Sequence, residues 1–225
     1  MYSLTAADFA DTGQWRLLIN LYSDGLEASL ENTVHPEIPR QQLCSLFWKG
    51  DKDSYLKNLE EAVYHNPRLL DDFATKIVIF DPATVFMPAS MLETPGAEAD
   101  IYNEIYKADH SDVMTDSCRG ITAAWAMAPG VRGFLLRSFP GARLTCNLME
   151  RYKEACRENG GLRLIVTKRG NESDFVLIHD CALISASTHP IASRESLDKM
   201  ISDILQAYGY EASEIIIEEN SVTSS

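Results

Sequence analysis

One order of predicted elements occurs twice along this chain, and it constrains the fold more than any single motif. Residues 16–80 predict a strand, a tight turn, a strand, a helix and a strand, while residues 162–218 predict a strand, a turn, two strands, a helix and a strand. A β-rich unit that recurs with its helices indicates two similar lobes built on mixed sheets. The sequence therefore predicts a duplicated, two-lobed α/β (mixed-sheet α+β) protein, with lobes at residues 1–110 and 111–225.

The first half contains the clearest local signal in the chain, a β-hairpin. Asp24-Gly25 lies between the apolar runs 16–22 and 26–30, and an Asp-Gly pair favours a tight turn in which both residues take positive φ. The other predictions for this half are a loop marked by Pro36 and Pro39, a helix over 53–64, a buried strand over 76–80, an extended piece and short helix over 85–93, and a surface linker over 94–100.

The second half predicts short strands and regular helices. The helix over 193–208 has the strongest pattern, because its apolar residues recur at the three- and four-residue spacing of one helix face. Asn147 is expected to cap an earlier helix, with Glu150 as its partner in a capping box. The predicted strands of this half are 111–117, 121–128, 143–146, 162–167, 174–178, 182–187 and 214–218, and a further helix opens at Pro129-Gly130.

Charge and hydropathy exclude several classes of function. The chain has 20 Lys and Arg against 33 Asp and Glu, a net charge of −13, which disfavours nonspecific binding to nucleic acids or anionic membranes. No apolar run approaches the roughly 18–20 residues that span a bilayer. The first eight residues contain neither the basic region nor the apolar stretch of a signal peptide. We therefore expect a cytoplasmic protein without a membrane partner.

Residues 131–170 depart from this acidic average. They contain nine basic and three acidic residues, and the simplest interpretation is that the basic side chains balance acidic neighbours within the fold. A docking patch for an acidic partner or a phosphate-bearing ligand is the alternative.

The sequence gives no sign of metal or thiol chemistry. The five cysteines, at positions 44, 118, 146, 156 and 181, form no Cys-x-x-Cys pair, and the histidines show no zinc-binding spacing. An odd number of cysteines suits a reducing compartment, where they serve as small buried hydrophobic residues. We expect no metal, no cofactor and no catalytic residues.

Three segments together resemble a known family. These are the hairpin at 17–30, the segment Val85-Phe86-Met87-Pro88 followed by Met91-Leu92, and residues 175–184 leading to the helix at Ser193. Their order is similar to that of a bacterial family of unknown function whose members adopt an actin-like ATPase (ribonuclease H-like) fold. The resemblance covers roughly residues 14–217. The resemblance implies a further strand, helix and strand after the last helix, whereas the predicted elements of this chain end with the strand over 214–218. We therefore expect a second lobe that is shortened or closed differently.

The resemblance also implies where a nucleotide would bind. Actin-like ATPases bind phosphate in one β-turn per lobe, each with Asp-x-Gly, where glycine lets backbone N–H groups approach the anion and the aspartate holds Mg²⁺. The corresponding pairs here are Asp24 with Gly25 and Gly170 with Asn171. The first pair lacks the intervening residue and is followed by the negative Glu27, and the second has no aspartate before its glycine. ATP hydrolysis is therefore not expected.

Two hypotheses follow for the function. The first is a catalytically inactive actin-like module that acts by contact with an unidentified protein partner. The alternative is a divergent nucleotide-dependent phosphotransferase or ATPase that binds a nucleotide between the lobes through Asp24, Gly25, Gly170 and Asn171.

Overall fold

The fold is described from a computed structural model, over residues 12–49, 54–107, 112–157, 160–169, 171–211 and 215–221. The strands are β1 (Trp15–Tyr22), β2 (Gly25–Asn32), β3 (Gln41–Phe47), β4 (Thr75–Phe80), β5 (Thr84–Pro88), β6 (Val113–Cys118), β7 (Ile121–Ala126), β8 (Arg143–Cys146), β9 (Leu162–Arg169), β10 (Glu172–His179), β11 (Ala182–Pro190) and β12 (Ile216–Ser221). The α-helices are α1 (Tyr55–Tyr64), α2 (Ala97–Tyr106), α3 (Val131–Ser138), α4 (Asn147–Ala155) and α5 (Arg194–Ala207).

The described residues form two compact units. The first takes its residues from 1–116 and 122–146, and the second from 117–121 and 147–225. The two lobes predicted from the sequence, 1–110 and 111–225, have other boundaries than these compact units. The predicted lobes describe a duplication, and they stay a prediction.

The sheet of the first unit has five strands in the order β3-β2-β1-β4-β8. β1 pairs antiparallel with β2 and parallel with β4; β2 and β3 are antiparallel, and β4 and β8 are parallel. β1 lies in the middle of the sheet, and its consecutive residues Leu17, Leu18 and Ile19 are all buried, so both of its faces are covered. This continuous burial explains why β1 reads as an apolar run rather than as an alternating pattern.

The sheet of the second unit repeats this arrangement with four strands, in the order β11-β10-β9-β12. β9 pairs antiparallel with β10 and parallel with β12, and β10 pairs antiparallel with β11. Strand order and directions are therefore the same as in β3-β2-β1-β4. The predicted mixed-sheet α/β fold class is confirmed.

Helix α5 covers one face of this second sheet. Its residues Leu197, Ile201 and Leu205 belong to one buried cluster with Leu164 and Phe175 of the strands. Ser193 and Ser196 form a reciprocal capping box at the start of the helix. Together the apolar stripe and the cap account for the helix that the sequence predicted here.

A small third sheet has the order β5-β7-β6. Met87 of β5, Ala124 of β7 and Tyr102 of α2 are the buried residues of its core. The β6–β7 turn at Arg119-Gly120 lies between the predicted strands 111–117 and 121–128, and both of its residues have positive φ, 49° and 78°.

Three local predictions are wrong. Residues 41–47 form β3, an edge strand that the loop prediction omitted, and helix α2 begins within the predicted surface linker. Asn147 does not cap α4: its side-chain nitrogen donates a hydrogen bond to Asp174, and its Oδ1 has no hydrogen-bond partner. The buried position of Asn147 directs its amide to a carboxylate instead of to the start of its own helix.

Candidate functional site: two hairpin turns

The first candidate turn joins β1 and β2, and it lies one residue earlier than predicted. Tyr22 and Gly25 are paired in the ladder, so Ser23 and Asp24 form the two-residue turn and Gly25 is the first residue of β2. Ser23, Asp24 and Gly25 do not have positive φ. The hairpin is confirmed, but the predicted positive φ at Asp24 and Gly25 is wrong, and glycine at position 25 needs another reason.

That reason is the close approach of β3. Gly25 is paired with Phe47 across the sheet. A Cβ at position 25 would lie 2.4 Å from Cδ1 of Phe47 and 2.7 Å from the carbonyl oxygen of Leu46. Both distances are shorter than any van der Waals contact, so only glycine fits here.

Aromatic side chains surround this turn. The rings of Tyr22 and Phe47 stack with centroids 5.9 Å apart, and Trp48 meets Tyr55 edge-on at 5.7 Å. We call Tyr22, Phe47, Trp48 and Tyr55 the aromatic patch. The backbone N–H of Trp48 donates a hydrogen bond of 2.8 Å to the carbonyl oxygen of Asp24, which joins the turn to the end of β3. Phe47 is 59% exposed.

Two carboxylates, those of Asp24 and Glu27, lie at this turn. Glu27 accepts hydrogen bonds from the Tyr22 hydroxyl at 3.0 Å and from the Ser45 hydroxyl at 3.1 Å. Burial, and then the charge of Asp24, raises the pKa of Tyr55 to about 12. Two carboxylates next to a phosphate would repel it, because like charges a few ångströms apart disfavour each other.

The second candidate turn joins β9 and β10. Gly170 lies outside the described residues. Asn171 is exposed, and its carbonyl oxygen accepts a hydrogen bond of 2.7 Å from the N–H of Ile191. Asn171 is therefore tied to the end of β11 through its backbone.

A buried ion pair lies directly beside this second turn. Asp174 is fully buried, and its two carboxylate oxygens accept hydrogen bonds from Nε of Arg169 at 2.7 Å and from Nη2 of Arg169 at 2.8 Å. Thr188 donates to the same carboxylate at 2.7 Å and Asn147 at 3.1 Å. The charge of Arg169 is thus neutralised within the chain by a bidentate pair.

Sequence reasoning missed the partners of both turns. Asp24 and Gly25 belong to the first unit and Asn171 to the second. Phe47 and Trp48 are adjacent aromatic residues in the sequence, but no sequence signal links them to the hairpin, because β3 was not predicted. A signal did exist for Asp174: it is an acidic residue directly before the apolar run 175–178, five residues after an arginine.

Basic residues from 131–170 mostly contact acidic residues nearby. Among the described residues, five of the nine form ion pairs: Arg143 with Asp116, Arg151 with Glu154, Lys153 with Glu150, Arg163 with Glu218, and Arg169 with Asp174. These pairs support the interpretation that the local positive charge balances acidic neighbours.

Comparison with solved structures identifies the fold. A Bacteroides thetaiotaomicron protein, described as having an actin-like ATPase fold and unknown function, superposes with a TM-score of 0.72 at 18% identity, over 97% of this chain and 86% of that one. The chain has the actin-like ATPase fold. The predicted resemblance is therefore confirmed at the level of the fold.

Two other solved structures superpose on the chain less well. The Aquifex aeolicus PPX-GPPA enzyme has a TM-score of 0.39 at 8% identity, covering 87% of this chain and 63% of that one. The PilM–PilN type IV pilus biogenesis complex has a TM-score of 0.41 at 11% identity, covering 87% and 66%. No protein-family model matches the chain, and no curated protein is significantly similar to it.

Both candidate turns occupy equivalent places in this actin-like fold, since each joins the first and second strands of a sheet ordered 3-2-1-4. They are the turns to which the resemblance assigns phosphate binding. Within the described residues there is no group of three or more His, Cys, Asp or Glu side chains that could hold a metal ion. No helix in the same part of the chain is long and apolar enough to cross a membrane.

Proposed function

We propose that this chain is a catalytically inactive actin-like module that acts by binding another protein in the cytoplasm. The observation that carries the proposal is that side chains and backbone groups of the chain itself fill the space at the first hairpin turn. The Trp48 N–H donates to the Asp24 carbonyl and is therefore not available to a phosphate, and the ring of Phe47 lies against Gly25, where a phosphate would need open backbone.

The second turn supports the same proposal by its charge. Arg169 is the cation closest in sequence to this turn, and its guanidinium is held by Asp174 in a bidentate pair. A phosphate would have to compete with a buried carboxylate for this cation. Binding there would leave Asp174 buried and unpaired, which costs several kcal/mol.

A thermal-shift experiment tests the inactivity. The full chain is melted with Mg²⁺ and ATP, ADP or GTP, and we expect the melting temperature to stay unchanged. A bound nucleotide at a hundredfold excess over its Kd would stabilise the fold by about 2.7 kcal/mol. For this length that is a rise of roughly 5–10 °C, and such a rise would favour the phosphotransferase alternative that uses Asp24, Gly25, Gly170 and Asn171.

The aromatic patch is our proposed contact for the protein partner. Exposed aromatic residues are the usual anchors of protein interfaces, and Phe47 is 59% exposed at the end of an edge strand. In affinity capture from a native lysate, we expect a protein that binds the wild type and is lost with Phe47→Ala. Leu136→Ala is the matched control, because Leu136 of α3 is a large apolar residue that is also exposed, at 46%.

Two results would contradict the partner proposal. One is the absence of any reproducible captured protein at physiological salt. The other is equal loss of capture in Phe47→Ala and Leu136→Ala, which would show that the effect does not come from the aromatic patch.

A further inference from the structure

Two cysteines of the second unit lie against each other where α4 meets the β10–β11 turn. The Cys156 thiol donates to the carbonyl oxygen of Cys181, with a sulfur–oxygen distance of 3.7 Å. The Cys181 thiol donates in return to the carbonyl oxygen of Cys156 at 3.8 Å. Each side chain therefore points to the other residue's backbone, and the two thiols face each other across the contact.

The conformation of Cys181 is unusual for a residue with a side chain. His179 pairs with Ala182, so Asp180 and Cys181 form a two-residue turn, and their φ angles are +49° and +66°. A turn with positive φ at both positions favours Asn-Gly or Asp-Gly, and glycine would be the less strained residue at position 181. Cysteine there is not explained by the turn itself.

Neighbouring groups hold the turn in this conformation. The Tyr152 hydroxyl of α4 donates a hydrogen bond of 2.8 Å to the carbonyl oxygen of Cys181. The Asp180 carboxylate accepts a hydrogen bond of 2.7 Å from the N–H of Gly161, and the Asp180 N–H donates to the Gly161 carbonyl at 3.2 Å. Cys181 is thus fixed beside the end of α4 from two sides.

We infer that Cys156 and Cys181 are a redox-active pair that forms a reversible disulfide. The fold places each sulfur within 3.8 Å of the other cysteine's carbonyl oxygen, on separate elements, and a disulfide requires such a close approach of two cysteines. It also gives a reason for cysteine at a position that suits glycine.

Exposure assigns the two thiols different roles. Cys181 is half-buried and can meet a small reagent, whereas Cys156 is only 7% exposed. Burial, and next a hydrogen bond with the Cys181 thiol, raises the pKa of Cys156 to about 11. Cys156 is therefore protonated at neutral pH. We expect Cys181 to react first with an oxidant and Cys156 to attack the oxidised Cys181 afterwards.

With glutathione disulfide as the oxidant, the reaction has two steps. The Cys181 thiolate attacks one glutathione sulfur, and the glutathione thiolate that leaves takes up the proton lost by Cys181. Cys156 then loses its proton and attacks the Cys181 sulfur, and the second glutathione leaves as a thiolate that takes up this proton. In total, two protein thiols are oxidised to one disulfide, and one glutathione disulfide is reduced to two glutathione thiols.

The test uses the full chain with an excess of glutathione disulfide, followed by alkylation, intact mass and peptide mapping. Of the five cysteines, we expect three to remain free, with Cys156 and Cys181 in one cross-linked peptide. The disulfide closes a loop of about 25 residues and should add about 3.5 kcal/mol, so the oxidised chain should melt roughly 7–14 °C higher than the reduced chain.

Two variants keep the result interpretable. Cys181→Gly suits the positive φ of the turn, so it should fold and show neither the disulfide nor the rise in melting temperature. Cys44→Ser changes a cysteine of β3 in the other unit, and it should still lose two thiols. Five free thiols in the wild type, stable glutathione adducts without a cross-link, or an unchanged loss of two thiols in Cys181→Gly would overturn the inference.

Discussion

Removal of the Asp174 carboxylate should destabilise the chain more than removal of any exposed acid. Asp174 accepts four hydrogen bonds and is fully buried, and the side chain of its partner Arg169 is only 14% exposed. Asp174→Ala would leave a guanidinium without its counter-charge in a mostly buried place. Breaking one partner of such a pair costs about 3–5 kcal/mol, well above the 1–3 kcal/mol of a lost neutral hydrogen bond.

Urea unfolding followed by far-UV circular dichroism measures this effect. Circular dichroism is required because all three tryptophans, at positions 15, 48 and 125, lie in the first unit and report on that unit alone. Glu172→Ala is the matched control: Glu172 is 3.9 Å from the same arginine, but it is half exposed, so its loss should cost less than about 1 kcal/mol.

A double variant separates charge burial from packing. Replacing both partners, as in Arg169→Met with Asp174→Leu, should recover more than half of the stability lost in Asp174→Ala, because no buried charge then lacks a partner. The reasoning is refuted if Asp174→Ala is no less stable than Glu172→Ala, or if the double variant is less stable than Asp174→Ala.

Two further predictions concern the first hairpin. Gly25→Ala should lower the free energy of unfolding in urea by about 1–3 kcal/mol, because the new Cβ would overlap Phe47 and the Leu46 carbonyl. Adding Phe47→Ala should recover only part of this loss. A Gly25→Ala chain as stable as the wild type would contradict the close approach. Burial and the charge of Asp24 raise the pKa of Tyr55 from 10.0 to about 12, so its contribution to stability is intact below pH 10 and falls as the pH rises from 10 to 12. Melting temperatures at pH 8–11.5 should therefore fall less in Tyr55→Phe than in the wild type, and equal slopes would show that Tyr55 is not the group responsible.

Elements with strong local patterns could be predicted from the sequence. The hairpin of β1 and β2, helix α5, and the meander of β9 to β11 have apolar periodicity and turn residues that do not depend on distant contacts. Strand β3 lacked such a pattern. It is an edge strand whose exposed residues include Gln42 and Ser45, and it follows two prolines, so its pairing with β2 decides its conformation.

The candidate site could be predicted only in part. The positions of both turns followed from the order of elements, but the groups that surround them come from other parts of the chain. Gly25 shows the difference most clearly, since an Asp-Gly pair favours positive φ whereas the structure uses the glycine to admit β3. Helix α2 was missed for a related reason. It begins after Gly96, and a glycine at this place in the sequence is typical of a linker, whereas in the structure Gly96 precedes the helix with a φ of 89°.

The contact between Gly25 and the end of β3 limits how this hairpin can change over evolutionary time. A residue inserted between Asp24 and Gly25, as an Asp-x-Gly turn requires, would lengthen the two-residue turn and move the Asp24 carbonyl away from the Trp48 amide. A side chain gained at position 25 would collide with Phe47. Descendants of this chain could therefore acquire a phosphate cradle only by altering two separate segments together, whereas single substitutions in the turn would be removed by selection for folding.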